Sequence, residues 1–157
     1  MNGSIVAAIV LSVSLMAGCA GTTQTKKAPA QAAAAPAKAS DELYRALGGE
    51  AGIARVVDAA LAEVHNDLRI NILFEKTDLA DLRRLLIEQI CAATGGPCTY
   101  TGRSMEEAHS GLNLTDADFD AFVDDLVRAM NATKVPPERQ KQLLGLLGPM
   151  RPEVVGQ

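Results

Sequence analysis

Apolar residues after Ser40 recur at every third or fourth position, the spacing that places them on one face of an α-helix. The second predicted helix, from Glu50 to Asn66, has the clearest stripe: Ile53, Val56, Val57, Ala60, Leu61 and Val64. The same spacing predicts helices that begin at Thr77-Asp78 and at Asp116. Pro136-Pro137 predicts the start of a last helix that ends at Leu147. No segment alternates convincingly with a period of two, so the pattern predicts an all-α fold.

Polar residues at the helix starts predict how the helices are capped. Ser40 is placed to cap a first helix from Asp41 to Leu47, which Gly48-Gly49 then ends. Two segments have the pattern of a capping box, namely Ser104 with Glu107 and Thr115 with Asp118. The tail after Gly148-Pro149 is expected to be irregular.

The front of the chain has the features of an export signal. The apolar run from Ile5 to Ala17 is shorter than the roughly 18 residues of a spanning helix, and small residues precede Cys19. This pattern resembles a bacterial lipoprotein signal over residues 1–18, with Cys19 lipidated and residues 19–40 forming a flexible Ala/Pro/Lys tether. An ordinary signal peptide or a short retained anchor is the alternative. We expect a domain at residues 41–157 that is lipid-anchored in the envelope and faces the periplasm.

The charge of this domain argues against nucleic acid as a partner. Three of the chain's 15 basic residues lie in the tether and none of its 19 acidic residues does, so the domain carries a net charge of −7. An acidic surface repels the phosphate backbone. The tether lysines could instead contact anionic lipid head groups.

Cys91 and Cys98 are the cysteines that remain if Cys19 is lipidated. An exported domain can keep a disulfide between them, and closing so short a loop would stabilise the fold by roughly 2–3 kcal/mol. The alternative is two free thiols packed as small apolar groups. Neither a CxxC redox motif nor a zinc site fits this spacing.

His109 is the candidate for chemistry. It stands near the end of a short predicted helix among small and apolar neighbours, where one imidazole could reach a flat cofactor. The alternative is a surface histidine that interacts with the helix dipole. His65, the other histidine, falls off the apolar stripe of its helix, so we expect it to be exposed.

Several short motifs, in order, resemble the group 1 truncated haemoglobins. They are Leu43-Tyr44, Leu47-Gly48-Gly49-Glu50, Arg69-Ile70-Asn71, Leu73-Phe74, Thr77-Asp78, Gly95-Gly96, Tyr100 to Met105, Ala108-His109, Gly111-Leu112, Leu114-Thr115 and Phe119-Asp120. The resemblance covers residue 41 to about residue 151. It implies a shortened globin, in which a two-over-two helical sandwich encloses haem b.

The resemblance also assigns roles to single residues. His109 would bind the iron while a backbone carbonyl orients its other ring nitrogen. The remaining predicted haem contacts are Phe74 against the haem face, Leu61, Leu82 and Leu86 on the distal side, Leu85 near the mouth, and Tyr100 and Leu112 near the haem edge and the proximal face. Leu61 and Leu82 stand where the family commonly has a tyrosine and a glutamine that hydrogen-bond bound oxygen. Gln89 is the nearest other donor, although it is expected to face solvent or the domain edge.

These residues predict a protein that binds oxygen, nitric oxide or carbon monoxide with weak polar stabilisation. Electron transfer with a redox partner would also tolerate the leucines, and Arg83 and Arg84 either pair with haem propionates or lie on a solvated face. We expect a binding protein rather than an enzyme, with a nitric oxide dioxygenase-like side activity left open. The alternative is a haem-free helical lipoprotein that acts as an interaction module. A hydrolase is disfavoured because the sequence has no nucleophile turn.

Overall fold

The computed structural model describes residues 40–157, and across this range it contains helices, turns and loops but no strand. The α-helices are α1 (Glu42–Ala46), α2 (Gly49–Asn66), α3 (Leu79–Ala93), α4 (Met105–His109), α5 (Asp116–Ala132) and α6 (Pro137–Leu147). Two 3-10 helices span Asn71–Phe74 and Gly148–Glu153. The all-α prediction is confirmed. The predictions for residues 1–39, including the signal peptide, Cys19 and most of the tether, lie outside the described residues.

The core forms where the apolar stripes of the long helices meet. α2 packs against both α3 and α5, and α6 closes the same core. Its innermost side chains include Ile53 and Val57 of α2, Cys91 of α3, Met130 of α5 and Leu143 of α6, each with at most 1% of its surface exposed. The pairing of α2 and α3 with α5 and α6 is the two-over-two sandwich that the resemblance implied.

A buried carboxylate on α5 pairs with a partly exposed arginine. The Asp125 carboxylate on α5 has none of its surface exposed, and Arg128 one turn later is in contact with it. The Arg128 guanidinium also bonds Glu63 of α2 at 2.9 Å. A carboxylate buried this deeply requires its counter-ion, because an unpaired charge in the interior is strongly destabilising.

Capping follows the sequence signals except at the first helix. Both predicted capping boxes form, at the starts of α4 and α5. Asp78 caps α3 by accepting bonds from two backbone N–H groups. The prediction for Ser40 was wrong: Asp41 is the residue that precedes α1, no side chain caps the helix, and the Asp41 carboxylate binds Arg45 instead.

The C-terminal tail is more ordered than the sequence suggested. Residues 148–153 form a 3-10 helix where an irregular tail was expected, since the buried Val154 anchors this segment to the domain. Backbone bonds join Gly156 to Leu114 and Asn113 to Gln157, each at 2.9 Å. The tail therefore holds the segment that follows α4. None of the helices within residues 40–157 combines the length and apolarity needed to cross a membrane.

Candidate functional site

A large cavity lies between the first 3-10 helix, α3 and the segment that contains α4. Its volume is about 890 Å³, in the range of cavities that hold small molecules and cofactors. α3 contributes Leu82, Leu85 and Leu86 at helical spacing, so most of its wall is apolar. The cavity brings together seven of the predicted site residues: Phe74, Leu82, Leu85, Leu86, Tyr100, His109 and Leu112.

His109, the last residue of α4, is half-buried in the cavity wall. Its Nδ1 lies 2.6 Å from the carbonyl oxygen of Met105, one helical turn earlier. A carbonyl can only accept, so Nδ1 carries the proton and donates it, which leaves the Nε2 lone pair free. A histidine held in this way is prepared to bind a metal through Nε2.

Tyr100 forms another part of the wall and is held by close packing. Its hydroxyl donates to the carbonyl oxygen of Arg103 at 2.8 Å, and its ring covers Gly102. A Cβ at Gly102 would lie 2.3 Å from the Tyr100 hydroxyl, so only glycine allows this approach. Burial raises the pKa of Tyr100, which keeps the phenol neutral near this cavity.

A polar network fixes the Tyr100 segment to α3. The Glu88 carboxylate accepts bonds from the hydroxyl of Thr101 at 2.7 Å and from its N–H at 3.0 Å. Arg84 bonds both Glu88 and Thr101. The bonds from Thr101, followed by the contact with Arg84, lower the pKa of Glu88.

Cys91 and Cys98 form a disulfide in the structure, with their Cα atoms 5.7 Å apart. Cys91 is fully buried on α3, and Cys98 begins the segment that leads to Tyr100. Gly96 makes this closure possible, because a Cβ there would lie 2.6 Å from the Cys91 sulfur. The disulfide and the Glu88 network thus connect two walls of the cavity.

Leu61 is the predicted site residue that the structure places elsewhere. It lines a separate pocket of about 340 Å³ together with the exposed His65. Ile72, Phe74, Glu75 and Thr77 line both this pocket and the large cavity, so the chain between α2 and α3 forms their common boundary. The resemblance from which Leu61 was predicted does not show which of the two pockets it lines.

Two cationic side chains at the rim of the cavity were not predicted from the sequence. Lys76 and Arg103 line the cavity, and neither forms an ion pair within residues 40–157. Arg83 and Arg84, which were considered for this role, do not line it. Arg83 pairs with Asp58, and Arg84 is engaged in the network with Glu88.

Apolar surface at the rim fits a flat, largely apolar ligand. Ile72, Leu73 and Leu112 line the cavity, yet they are 60%, 40% and 53% exposed. Exposed large apolar side chains that cluster around one opening mark a binding site. An imidazole in the wall, leucines on α3 and two free cations at the rim match the iron, the ring and the carboxylates of haem.

A second cavity of about 290 Å³ lies behind the first, among α2, α5, α6 and the C-terminal 3-10 helix. Its lining is almost entirely apolar. Five residues line both cavities and therefore form the partition between them: Leu73, Phe74, Leu86, Gln89 and Leu114. The half-buried Gln89 was expected to face solvent or the domain edge, but it lies in this partition.

Residues 42–155 match the bacterial-like globin family. The chain is 31% identical over 112 residues to the group 1 truncated haemoglobin GlbN of Mycolicibacterium paratuberculosis, an alignment that covers 71% of this chain and 82% of that protein. It is 35% identical over 102 residues to the group 1 truncated haemoglobin GlbN of a Nostoc species, covering 65% and 86% of the two chains.

Solved structures agree with the sequence comparison. The truncated haemoglobin of Tetrahymena pyriformis in its Fe(III) form superposes with a TM-score of 0.71 at 27% identity, covering 73% of this chain and 98% of that one. The 2/2 haemoglobin of Synechococcus, in the cyanomet state and with covalently attached haem, gives 0.68 at 30% identity with the same coverage. The chain therefore belongs to the bacterial-like globins, a family of haem proteins that bind diatomic gases, and within them it is a group 1 truncated haemoglobin.

Proposed function

We propose that this chain binds haem b in the large cavity, where His109 would be a ligand of the iron. The observation that carries the proposal is the bond from His109 Nδ1 to the Met105 carbonyl, which leaves Nε2 free at the cavity wall. Bound haem would supply an iron that could bind a diatomic gas, and His109 would hold that iron through Nε2.

The cysteines within residues 40–157 offer no thiol to attach a haem covalently. Cys91 and Cys98 are bonded to each other, so no cysteine thiol within residues 40–157 is free to attach a haem vinyl group. Lys76 and Arg103 are the candidates to bind the propionates, since both line the cavity without an ion pair inside the described chain. Phe74 and Leu112 would contact the ring.

The gas side of the proposed site is apolar. Leu82, Leu85 and Leu86 line the cavity from α3, and none of them can donate a hydrogen bond. Oxygen gains more from such a bond than carbon monoxide or nitric oxide does. The cavity is therefore suited to nitric oxide or carbon monoxide binding, or to electron transfer with a redox partner, at least as well as to oxygen storage.

We also propose that the globin domain is tethered to the bacterial envelope through a lipid on Cys19. Small residues before this cysteine and the Ala/Pro/Lys-rich segment after it support the proposal. Mass spectrometry of the membrane fraction tests it directly. An acylated N-terminal peptide beginning at Cys19 is expected, and an unmodified cysteine there would contradict it.

The haem proposal is tested by an absorption spectrum of the full-length chain produced with haem supplied. The parent is expected to show a Soret band that His109→Ala loses or shifts strongly. His65→Ala is the matched control and should leave the spectrum unchanged, because His65 is exposed and does not line the cavity. A folded parent that never takes up haem would favour the interaction-module alternative.

A further inference from the structure

Gln89 is the one polar residue in the partition between the two cavities, within the described part of the chain. Its side chain is half-buried on α3, next to Leu85 and Leu86 of the cavity wall. An amide in apolar surroundings costs free energy unless its polar atoms are hydrogen-bonded. Its presence in this wall therefore calls for specific partners.

The partners of Gln89 are two methionine sulfurs from different parts of the chain. Its Nε2 lies 3.2 Å from Sδ of Met105, the first residue of α4, and 3.6 Å from Sδ of Met150 in the C-terminal 3-10 helix. An amide nitrogen has two N–H bonds and can serve both weak acceptors. Gln89 thus joins α3 to α4 and to the C-terminal segment.

Met105 accepts two hydrogen bonds, one at its side-chain sulfur and one at its backbone carbonyl. Its sulfur accepts from Gln89, and its carbonyl oxygen accepts from His109 Nδ1 at 2.6 Å. α4 has only five residues, too few for a helix that is stable by itself, so its position depends on contacts with neighbouring elements. A shift of Met105 would displace the acceptor that sets the tautomer and orientation of the imidazole.

We propose that Gln89 is a positioning residue for His109. Through the Met105 sulfur it holds the carbonyl that orients the ring. The significance of this contact rests on the proposed role of His109 in binding haem. The contact itself is made by the protein alone, so Gln89 also acts on His109 in the haem-free chain.

The test is nitrogen-15 NMR of the histidines in the full-length, haem-free chain. In the parent, His109 is expected to be mostly the tautomer protonated on Nδ1. Gln89→Leu replaces the amide with an apolar side chain of similar size that has no N–H groups, and it should change the tautomer ratio about 2- to 12-fold, the range for one net hydrogen bond. Gln142→Leu, at an exposed position of α6, is the matched control and should leave the ratio unchanged.

A double-mutant cycle shows whether the effect passes through the sulfur. Met105→Leu should change the tautomer ratio of His109 by about as much as Gln89→Leu does. The double variant should differ little from either single variant. An unchanged ratio in Gln89→Leu with the helical circular dichroism of the parent would overturn the proposal. If that variant does not fold, Gln89→Met replaces it, because methionine adapts to the same space.

The two proposals fail separately. If Gln89→Leu changes the tautomer ratio but the parent chain does not bind haem, the role of His109 as an iron ligand is overturned and the role of Gln89 is kept. Haem binding through His109 with an unchanged ratio in both Gln89 variants would overturn only the role of Gln89.

Discussion

Leu82→Gln is expected to strengthen oxygen binding, because it places a hydrogen-bond donor in a wall that otherwise has none free. Leu82 is half-buried and lines the cavity beside Leu85 and Leu86. Two polar residues of α3 also line the cavity, but Asp81 is an acceptor bonded to Arg84. The other, Gln89, donates to two sulfurs. The parent therefore starts without a free donor on this wall.

The size of the effect follows from the hydrogen bond gained. A bond to a partly charged bound gas contributes about 1–3 kcal/mol, and each 1.4 kcal/mol changes an equilibrium constant tenfold. The oxygen dissociation constant of the Leu82→Gln variant should fall by roughly 5- to 150-fold. The change should appear mainly as slower dissociation, since the new donor acts on oxygen that is already bound.

Stopped-flow measurement of oxygen dissociation from the haem-loaded, full-length chain checks this prediction. Leu61→Gln is the matched control, because it makes the same substitution in the separate pocket and should leave the rate unchanged. An unchanged rate for Leu82→Gln, in a variant with the absorption spectrum of the parent, would refute the placement of the gas side. A larger change in the oxygen dissociation rate for Leu61→Gln than for Leu82→Gln would refute the placement of Leu61 outside the cavity.

Three further variants test the framework of the site. Replacing Cys91 and Cys98 by alanine should lower the free energy of unfolding by about 2.5 kcal/mol, the loop-closure entropy of eight residues, measured by urea denaturation. Arg128→Ala should cost about 3–5 kcal/mol in the same assay, because it leaves the buried Asp125 carboxylate unpaired. Glu88→Gln should destabilise the chain at neutral pH and progressively less as the pH falls below about 4.3, the ordinary pKa of glutamate. The sign follows because the bonds that lower the pKa of Glu88 favour its ionised form in the folded state. They stabilise the fold above that pH, and protonation of the carboxylate removes this contribution.

Each of these variants has a control. The parent in reductant should lose as much stability as the cysteine variant, and no loss in either would contradict the stabilising role of the disulfide. Arg139→Ala removes an ion pair with the exposed Glu42 and should cost less than about 1 kcal/mol. Glu138→Gln alters an exposed carboxylate of α6 and should change the free energy of unfolding little. A difference between Glu88→Gln and the parent that does not shrink on acidification would refute the argument about its pKa.

The helices and their ends could be predicted from the sequence because their determinants are local. The apolar stripe of α2, the capping boxes at Ser104 and Thr115, and the glycines after Leu47 act within a few residues of one another. Ser40 was the exception, since its neighbour Asp41 precedes the first helix and is engaged by Arg45. Local signals identify which segments become helices, but a single terminal residue depends on competing contacts.

Most of the candidate site could also be anticipated, because α3 and the segment around α4 each carry a recognisable pattern. The row Leu82, Leu85 and Leu86 follows from helical periodicity, and His109 follows from its surroundings in the sequence and the resemblance to globins. The structure brings these residues into one cavity. The resemblance alone predicted Leu61 in the same wall, and it could not show that Leu61 lines a neighbouring pocket that shares Phe74 and Thr77 with the cavity.

The amino-acid order by itself therefore determined the all-α class, the stripes that form the core and the position of the candidate histidine on its short helix, since each depends on the spacing of residues along one segment. Tertiary structure alone decided which side chains from distant segments share a wall. In the folded domain Lys76 and Arg103 lie at the rim of the cavity, Leu61 lines the neighbouring pocket, and Gln89 contacts Met105 and Met150. These contacts join residues 16 to 61 positions apart and depend on how whole helices pack, which no local pattern encodes.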